Sequence, residues 1–257
     1  MKIFDCHLHC EGSTDSSMTL AEAVQVAEKQ DIGLCVTEHW DYDYPTNPDA
    51  FHFDIPEYVE RVKNFQSENV LLGIEIGMQP HLAKKNAELA KKAEFDFVLC
   101  SIHCVKGMDI YEPKYYFGKT KEQVVEEYLT DMLTCLKNHT EIDALAHPDY
   151  ITRYWPFNAE LRLKDAPILW DEVFKEIIRR EIPLEINTRR TDMFSAISCY
   201  EELLTRYKNL GGKFFTVGSD AHNTDSVGRR IKEAIQLGKK LKLTPVYFKH
   251  RKKIPIQ

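Results

Sequence analysis

The chain has 257 residues, of which 43% are hydrophobic and 29% charged, values typical of a globular protein with a buried core. The formal net charge of −6 argues against general binding to nucleic acid or to an anionic membrane, and the apolar runs are too short to span a bilayer. Seven cysteines without a CxxC pair, together with an N-terminus that lacks a signal-peptide pattern, predict reduced thiols in a cytoplasmic protein.

Apolar runs alternate with amphipathic helical patterns along the chain, as expected for a parallel α/β sheet or barrel. Seven runs predict strands, at about residues 2–9, 34–37, 70–75, 96–102, 142–146, 183–187 and 214–219. Helical patterns follow, one capped by Thr19, one beginning near Pro56, and others at about 81–93, 120–137, 167–180, 197–209 and from Val227 onward. The basic tail, Lys249 to Lys253, is interpreted as solvated charge. Since no linker-like stretch interrupts the series, we expect one domain over residues 1–257.

The first predicted strand ends in His7 and His9, which share one strand face because side chains alternate along a strand. Side chains able to bind a metal occur at the end of almost every predicted strand, the first included. They are His7, His9, Glu38, His39, Glu75, His103, His147, Asp220 and His222. In an α/β barrel the carboxyl ends of the strands converge on one face, where active sites form. Sequence-distant residues would therefore meet in one cleft and form a metal centre there.

Histidines mixed with carboxylates favour zinc, iron or manganese over magnesium and calcium, which prefer oxygen ligands. Nine ligands exceed the needs of one ion, so the pattern indicates two or three metals with a bridging carboxylate, a centre suited to phosphoester hydrolysis. Four histidines lack the strand-end placement and are interpreted as surface residues: His52, His81, His139 and His250. Cys6 and Cys10 could also be ligands, but packing as small, semi-apolar side chains is the preferred interpretation.

Together these residues resemble the PHP (polymerase and histidinol phosphatase) superfamily over essentially the whole chain. The matching motifs are Asp5-X-His7-X-His9, Glu38-His39, Glu75, His103, His147-Pro148-Asp149 and Ser219-Asp220-Ala221-His222. Within the superfamily, the chain length and the segment from His9 to Ser16 look most like the PHP-type histidinol-phosphate phosphatases. The resemblance implies a distorted (β/α)7 TIM-like barrel, consistent with the seven strand–helix units, and a phosphoric monoester hydrolase.

The resemblance also implies a ligand set for each metal. One ion would be bound by His7, His9, Glu75 and Asp220, a second by Glu75, His103 and His147, and a third by Asp15, His39 and His222. Asp15 lies in a loop and is found only through the resemblance. Glu38 and Asp5 would orient ligands or a water without binding a metal themselves.

A phosphate dianion needs positive charge beyond the metals, and arginine offers bidentate contacts to phosphate oxygens. Arg153 follows the fifth strand, and Arg189 and Arg190 follow the sixth. The resemblance implies substrate-binding arginines in these two loops and leaves the choice between Arg189 and Arg190 open. The mechanistic hypothesis is attack on phosphorus by a hydroxide that bridges metals sharing Glu75. The proton donors considered for the leaving alcohol are Asp220, His222 and a metal-bound water.

The implied reaction is hydrolysis of L-histidinol phosphate to L-histidinol and phosphate, a step of histidine biosynthesis. One alternative is a PHP phosphoesterase acting on another small phosphate ester, a nucleotide or phosphotyrosine. Another is a non-catalytic PHP module, although every ligand position is filled here. An amidohydrolase-like barrel also begins with His-X-His, but Glu75, His103 and the Asp220–His222 pair fit the PHP pattern better. The physiological metal and the oligomeric state stay open.

Overall fold

The structure, a computed structural model, describes residues 2–65, 67–190 and 194–256, without the side chains of 194 and 195. The described strands are β1 (Ile3–Asp5), β2 (Ile32–Val36), β3 (His39–Trp40), β4 (Val70–Gly77), β5 (Phe97–Ser101), β6 (Cys104–Val105), β7 (Met108–Asp109), β8 (Ala144–Leu145), β9 (Leu184–Asn187), β10 (Phe214–Gly218), β11 (Thr244–Lys249) and β12 (Lys252–Pro255). The described helices are α1 (Leu20–Gln30), α2 (Ile55–Lys63), α3 (Ala83–Leu89), α4 (Lys121–Asn138), α5 (Pro167–Arg179), α6 (Phe194–Asn209) and α7 (Ile231–Lys240).

The predicted helices are all present, and local sequence signals explain where several of them start. Thr19 and Glu22 form a reciprocal capping box at α1, and Thr120 and Gln123 form another at α4. The side chain of Asp54 accepts a hydrogen bond from a backbone amide in the first turn of α2. None of the helices in the described ranges is long and apolar enough to cross a membrane.

The last helix begins later than predicted, at Ile231 rather than near Val227. Gly228 and Arg230 both adopt a positive φ, of 70° and 53°. A right-handed helix cannot include such residues, so the backbone turns here before the helix starts.

Seven parallel strands run in the order β1-β2-β4-β5-β8-β9-β10 and correspond to the seven predicted strands. The residues that follow β1 and β10 close the ring. Leu8 forms a parallel bridge with Ala221, and the amide of Asp220 donates to the carbonyl of His7 at 2.7 Å. The chain therefore forms the predicted distorted (β/α)7 barrel, and the carboxyl ends of its strands share one rim.

Two apolar layers support this rim. The outer layer lies between the strands and the helices and includes large buried side chains such as Trp170 and Phe174. The inner layer contains Phe4, Cys6, Cys35, Leu71, Phe97, Leu99, Ala144, Ala146, Val246 and Phe248. Leu71 and Glu75 lie on the same face of β4, because four residues separate them on a strand of period two. The apolar interior of the barrel therefore leads directly to the polar rim.

The basic tail is part of the sheet, so its interpretation as only solvated charge needs correction: Lys252 is exposed, whereas Arg251 is half-buried. β11 pairs in parallel with β10 and antiparallel with β12, forming a hairpin. Val246 and Phe248 join the inner layer, where Phe248 stacks on Phe97 with ring centroids 5.1 Å apart. Arg251 at the hairpin turn forms an ion pair with Asp143. In the sequence, the many charged residues near the C-terminus hide the alternating pattern of β11, in which Val246 and Phe248 are buried.

His139 is also not a surface residue, contrary to the prediction. It is 3% exposed and follows α4 directly. Its Nδ1 lies 2.9 Å from the carbonyl oxygen of Cys135, and its Nε2 lies 3.2 Å from Nδ2 of Asn86. Since a carbonyl only accepts and an amide nitrogen only donates, His139 is neutral with its proton on Nδ1. His81 and His250 have mostly exposed side chains, as predicted.

Candidate metal centre

The predicted ligands converge on the carboxyl rim of the barrel. Four overlapping triplets have ligand atoms within 4.8 Å of one another: His7, His9 and Asp220; His7, Glu75 and His147; His9, His39 and His222; and His39, Asp41 and His103. Asp15 reaches the same cluster through His39 and His222. Residues that are as much as 215 positions apart in sequence are therefore neighbours, because the strands that carry or precede them end at one rim of the barrel.

Glu75 on β4 is fully buried at the centre of the cluster. Its Oε1 lies 2.9 Å from Nε2 of His147 and 3.4 Å from Nε2 of His103. Its Oε2 lies 2.7 Å from Nδ1 of His39 and 3.4 Å from Nε2 of His7. Oε2 also lies 3.6 Å from Nε2 of His9. Each carboxylate oxygen thus faces a different set of imidazoles, the arrangement expected of a carboxylate that bridges two ions.

His7 and His9 face Asp220 across the closure of the barrel. Their Nε2 atoms are 3.1 Å apart, and Oδ1 of Asp220 lies 3.8 Å from His7 and 3.5 Å from His9. Ligand atoms around one tetrahedral zinc ion lie about 3.3 Å apart, since zinc–nitrogen bonds measure about 2.0–2.1 Å. The spacing of these three side chains therefore suits a single ion.

Asp15, His39 and His222 form the outer part of the cluster. Oδ2 of Asp15 lies 3.1 Å from Nε2 of His222 and 3.8 Å from Nε2 of His39, and the Asp15 side chain is 42% exposed. Burial would raise the pKa of Asp15, but the hydrogen bond from His222 and the charge of His39 hold it well below its ordinary value. The carboxylate is therefore ionised and accessible from the open end of the site.

Several buried atoms of the cluster have close neighbours but no hydrogen bond. Within the described part of the chain, this holds for Glu75 Oε2, His39 Nδ1 and His103 Nε2. Buried polar atoms are nearly always hydrogen-bonded, so such orphaned lone pairs indicate a missing partner such as a cation. Imidazole nitrogens mixed with carboxylate oxygens are the donor set of zinc, iron or manganese. The residues present therefore fit divalent transition-metal ions.

The charges of the cluster lead to the same conclusion. Burial alone would raise the pKa of Glu75, but the neighbouring histidines, His7 foremost, hold it well below its ordinary value. Burial alone would lower the pKa of His7, but Glu185, Glu75 and Asp220 outweigh it and raise the pKa. The carboxylates thus require positive charge close by. A metal ion can supply it and leave the imidazole nitrogens free to coordinate.

Arg153 and Arg189, two of the three arginines predicted to bind substrate, lie beside the cluster. Nη1 of the buried Arg153 lies 2.7 Å from Oδ2 of Asp220. Nη1 of Arg189 lies 3.3 Å from Oδ1 of Asp220 and 3.0 Å from Nδ1 of His222, and the side chain is 39% exposed. Two guanidinium groups therefore border the carboxylate of Asp220, one buried and one facing the opening.

Arg190 points elsewhere, so its prediction as a substrate-binding residue needs correction. Its Nη2 donates to both carboxylate oxygens of Glu160, at 2.8 and 3.0 Å, and its Nη1 donates to Asp149 and to Thr152. The side chain is 15% exposed. The two arginines lie in the turn that follows β9, and their side chains leave it towards different partners, Asp220 and His222 for Arg189 and Glu160 for Arg190.

Asp220 is a poor proton donor in this environment, although the sequence suggested it as one. Burial would raise its pKa, but Arg153 and His7 hold it well below its ordinary value. An ionised carboxylate can coordinate or accept a hydrogen bond but carries no proton to transfer. Of the donors considered for this role, His222 and a water in the site remain.

Two buried carboxylates next to the ligands were not identified from the sequence. Oδ2 of Asp41 lies 2.9 Å from Nδ1 of His103, and Oε1 of Glu185 lies 2.8 Å from Nδ1 of His7. The sequence contains a weak indication of each of them. Asp41 follows His39 by two residues and so shares its strand face, and Glu185 is a charged residue inside an apolar predicted strand.

Glu38 supports a ligand, in line with the hypothesis made for it. Its carboxylate accepts hydrogen bonds from the amides of Cys10 and Gly12 and, at 2.5 Å, from the hydroxyl of Ser13. Oγ of Ser13 in turn lies 3.3 Å from Nδ1 of His9. Glu38 therefore shapes the loop after His9 and fixes the orientation of that imidazole.

Aromatic side chains flank the cluster on two sides. The Tyr150 ring lies 4.9 Å from the His103 ring and 4.8 Å from the His147 ring, measured between centroids. The Arg153 guanidinium lies 4.7 Å from the centroid of the same tyrosine. Phe51 packs edge-on against His39 at 5.0 Å. The polar centre is thus bordered by flat apolar surfaces that can accommodate an organic group.

A family model described as PHP domain matches residues 5–189, a segment that includes seven of the nine predicted ligands. This chain belongs to the PHP family. The two predicted ligands beyond the matched segment, Asp220 and His222, follow β10 and reach the same cluster through the closure of the barrel.

Relatives of known name cover almost the whole chain. A probable histidinol-phosphatase of Clostridium acetobutylicum is 42% identical over 250 residues, which are 97% of this chain and 98% of that protein. The histidinol-phosphatase of Lactococcus lactis is 30% identical over 230 residues, 86% of this chain and 85% of that protein. A crystal structure of histidinol phosphate phosphatase from Lactococcus lactis matches with a TM-score of 0.93 at 29% identity, covering 98% of this chain and 99% of the other. That structure is complexed with zinc, L-histidinol and phosphate.

Proposed function

We propose that the protein hydrolyses L-histidinol phosphate to L-histidinol and phosphate, a step of histidine biosynthesis. One observation carries the proposal: a histidine–carboxylate cluster and two arginines share the rim of a barrel that closely matches an enzyme bound to zinc, L-histidinol and phosphate. Relatives named histidinol-phosphatase over nearly the full length support the same substrate.

The proposed ligands are the nine predicted from the sequence: His7, His9, Asp15, His39, Glu75, His103, His147, Asp220 and His222. They would hold two or three divalent ions, and the zinc in the matching crystal structure supports zinc as one of them. When bound, such ions polarise a phosphoryl group and lower the pKa of water towards neutrality. The division of ligands among the ions follows the three sets that the PHP resemblance implies.

The protein's own groups would bind and orient the substrate. Arg153 and Arg189 would donate to the phosphoryl oxygens and stabilise the charge that develops on them during in-line displacement. Glu75 would fix the geometry of the imidazoles around it. Because His222 is proposed as a metal ligand, the proton for the leaving oxygen is proposed to come from a water in the site rather than from its imidazole. The organic end of the substrate would lie between the aromatic surfaces of Tyr150 and Phe51.

We also propose that residues 1–257 act as one domain in the cytoplasm. β10 to β12 extend the same sheet that begins with β1, which supports a single unit. All seven cysteines are buried and free, as expected in a reducing compartment. Cys6 and Cys10 are in none of the metal-capable groups among the described residues, which supports packing as their role.

The test is a kinetic comparison on protein loaded with zinc or manganese. The substrates are L-histidinol phosphate, a nucleoside monophosphate, phosphotyrosine and p-nitrophenyl phosphate. We expect kcat/KM for L-histidinol phosphate to exceed every other value by more than about tenfold, which corresponds to about 1.4 kcal/mol. Equal kcat/KM values for all four esters would contradict L-histidinol phosphate as the substrate but would still support phosphatase activity. No phosphate release from any ester would contradict both.

A further inference from the structure

β9 contributes no predicted metal ligand, yet it carries a fully buried carboxylate at the centre of the barrel. Glu185 is 0% exposed. Among the described residues, the charged or chargeable side chain within 4.0 Å of it is the imidazole of His7. A buried carboxylate without a lysine or arginine partner is costly, so its position requires a specific role.

The first oxygen of Glu185 controls the protonation of a ligand. Oε1 lies 2.8 Å from Nδ1 of His7. A carboxylate only accepts hydrogen bonds, so the proton of His7 must be on Nδ1. In the neutral imidazole that metal binding requires, Nε2 then presents a lone pair towards His9 and Glu75, whose nearest atoms lie at 3.1 and 3.4 Å. Glu185 therefore selects the tautomer of His7 that can bind a metal.

The second oxygen of Glu185 holds another ligand segment. Oε2 accepts from the backbone amide of His147 at 2.8 Å and from Nδ2 of Asn187 at 3.2 Å. The carbonyl oxygen of the Asn187 side chain accepts from Arg153 at 3.1 Å. One carboxylate thus connects two ligand positions directly and is one hydrogen-bonded residue away from the buried arginine.

The neighbouring strand leaves room for this contact. A Cβ atom at Gly218 on β10 would collide with the Cβ of His7 and lie 2.5 Å from Oε1 of Glu185. Any other residue at position 218 would therefore force the imidazole and the carboxylate apart. The glycine and the glutamate together define the place of His7.

We propose that Glu185 is a positioning residue that fixes the tautomer of His7 and the backbone of His147, so that zinc affinity depends on it. The inference rests on the proposed metal centre. Glu185→Gln keeps the volume of the side chain but replaces one acceptor oxygen by a donor. The amide cannot accept from both His7 and His147, so one of these hydrogen bonds is lost.

Asp96→Asn is a matched control at the opposite end of the barrel. Asp96 is also a buried carboxylate, 3.3 Å from a ring nitrogen of His250, and it accepts a backbone hydrogen bond from Leu72. Its replacement tests the loss of a buried charge without any contact to the cluster. Glu185→Asp is a second variant, which keeps the charge but shortens the reach of the carboxylate.

The experiment measures zinc dissociation constants by competition with a chromophoric chelator, and the absorption spectrum of the cobalt-loaded proteins. We expect both Glu185 variants to bind the tightest zinc about 10- to 100-fold more weakly and to change the cobalt spectrum, with Asp96→Asn unchanged in both. Glu185→Asp decides the question if Glu185→Gln does not fold. Zinc affinity within threefold of wild type would refute the proposal, as would an equal loss in Asp96→Asn. A wild-type protein that binds no zinc would refute the metal centre itself.

Discussion

Arg189 and Arg190 are neighbours in sequence, but the structure gives them different roles that substitution can separate. Replacement of each by methionine keeps a long side chain and removes the charge. Arg189→Met should reduce activity with little effect on stability, because the arginine is 39% exposed and borders the cluster. Arg190→Met should reduce stability with little effect on activity, because this arginine pairs with Glu160 and Asp149.

The magnitudes follow from these contacts. A hydrogen bond to a charged group contributes about 1.5–3 kcal/mol, so loss of the Arg189 contact to phosphate should lower kcat/KM by about 10- to 150-fold. The exposed arginine adds less than about 1 kcal/mol to folding. Arg190 makes two hydrogen bonds to Glu160 and is mostly buried, and its loss should cost about 2–3 kcal/mol. For a chain of this size that lowers Tm by about 5–10 °C.

The assay is phosphate release from L-histidinol phosphate at 25 °C, together with thermal unfolding of the same preparations. Equal zinc content in both variants is the control, since metal loss would mimic a binding defect. The reasoning is refuted if Arg190→Met loses as much kcat/KM as Arg189→Met, or if Tm falls in Arg189→Met and not in Arg190→Met.

Three further predictions concern the metals and the fold. Metal removal by a chelator should abolish phosphatase activity and lower Tm. Zinc at about 100 times its Kd should restore about 2.7 kcal/mol to the free energy of unfolding. Full activity in metal-free protein would contradict this prediction. Glu75→Gln should lose more zinc by elemental analysis than Asp15→Asn, because Glu75 is buried among five histidines whereas Asp15 is at the open end; equal losses would argue against bridging. Burial lowers the pKa of His139, so its contribution to stability is complete above the unfolded-state pKa of about 6.5 and is lost as the pH falls below it. Denaturant unfolding should therefore show a shallower loss of stability between pH 7 and 5 in His139→Gln than in wild type, and identical slopes would contradict the assignment.

The convergence of the candidate metal ligands could be predicted from the sequence because of a property of parallel barrels. Each strand ends at the same rim, so a polar residue at the end of an apolar run is placed near its counterparts whatever the sequence distance. Glu75 and His147 illustrate this, since each ends or follows an apolar run and their side chains lie 2.9 Å apart. Asp15 has no such strand-end position and needed the family resemblance.

Other features could not be predicted because they depend on partners from distant segments. The choice between Arg189 and Arg190 depends on where Glu160 and Asp149 lie in the fold. His139 reads as a polar residue at a helix end, and its burial follows from the position of Asn86 on another helix.

The sequence by itself determined the alternation of strands and helices, the strand-end placement of most ligands, and the chemical type of the site. Those features depend on local periodicity and on residue type, which are properties of short segments. Only the tertiary structure decided which arginine faces the site, that Asp220 is held ionised, and that Glu185 supports His7. Hydrogen bonds and charge balance in a buried site depend on which side chains from different strands are in contact. Those contacts form only when the barrel closes.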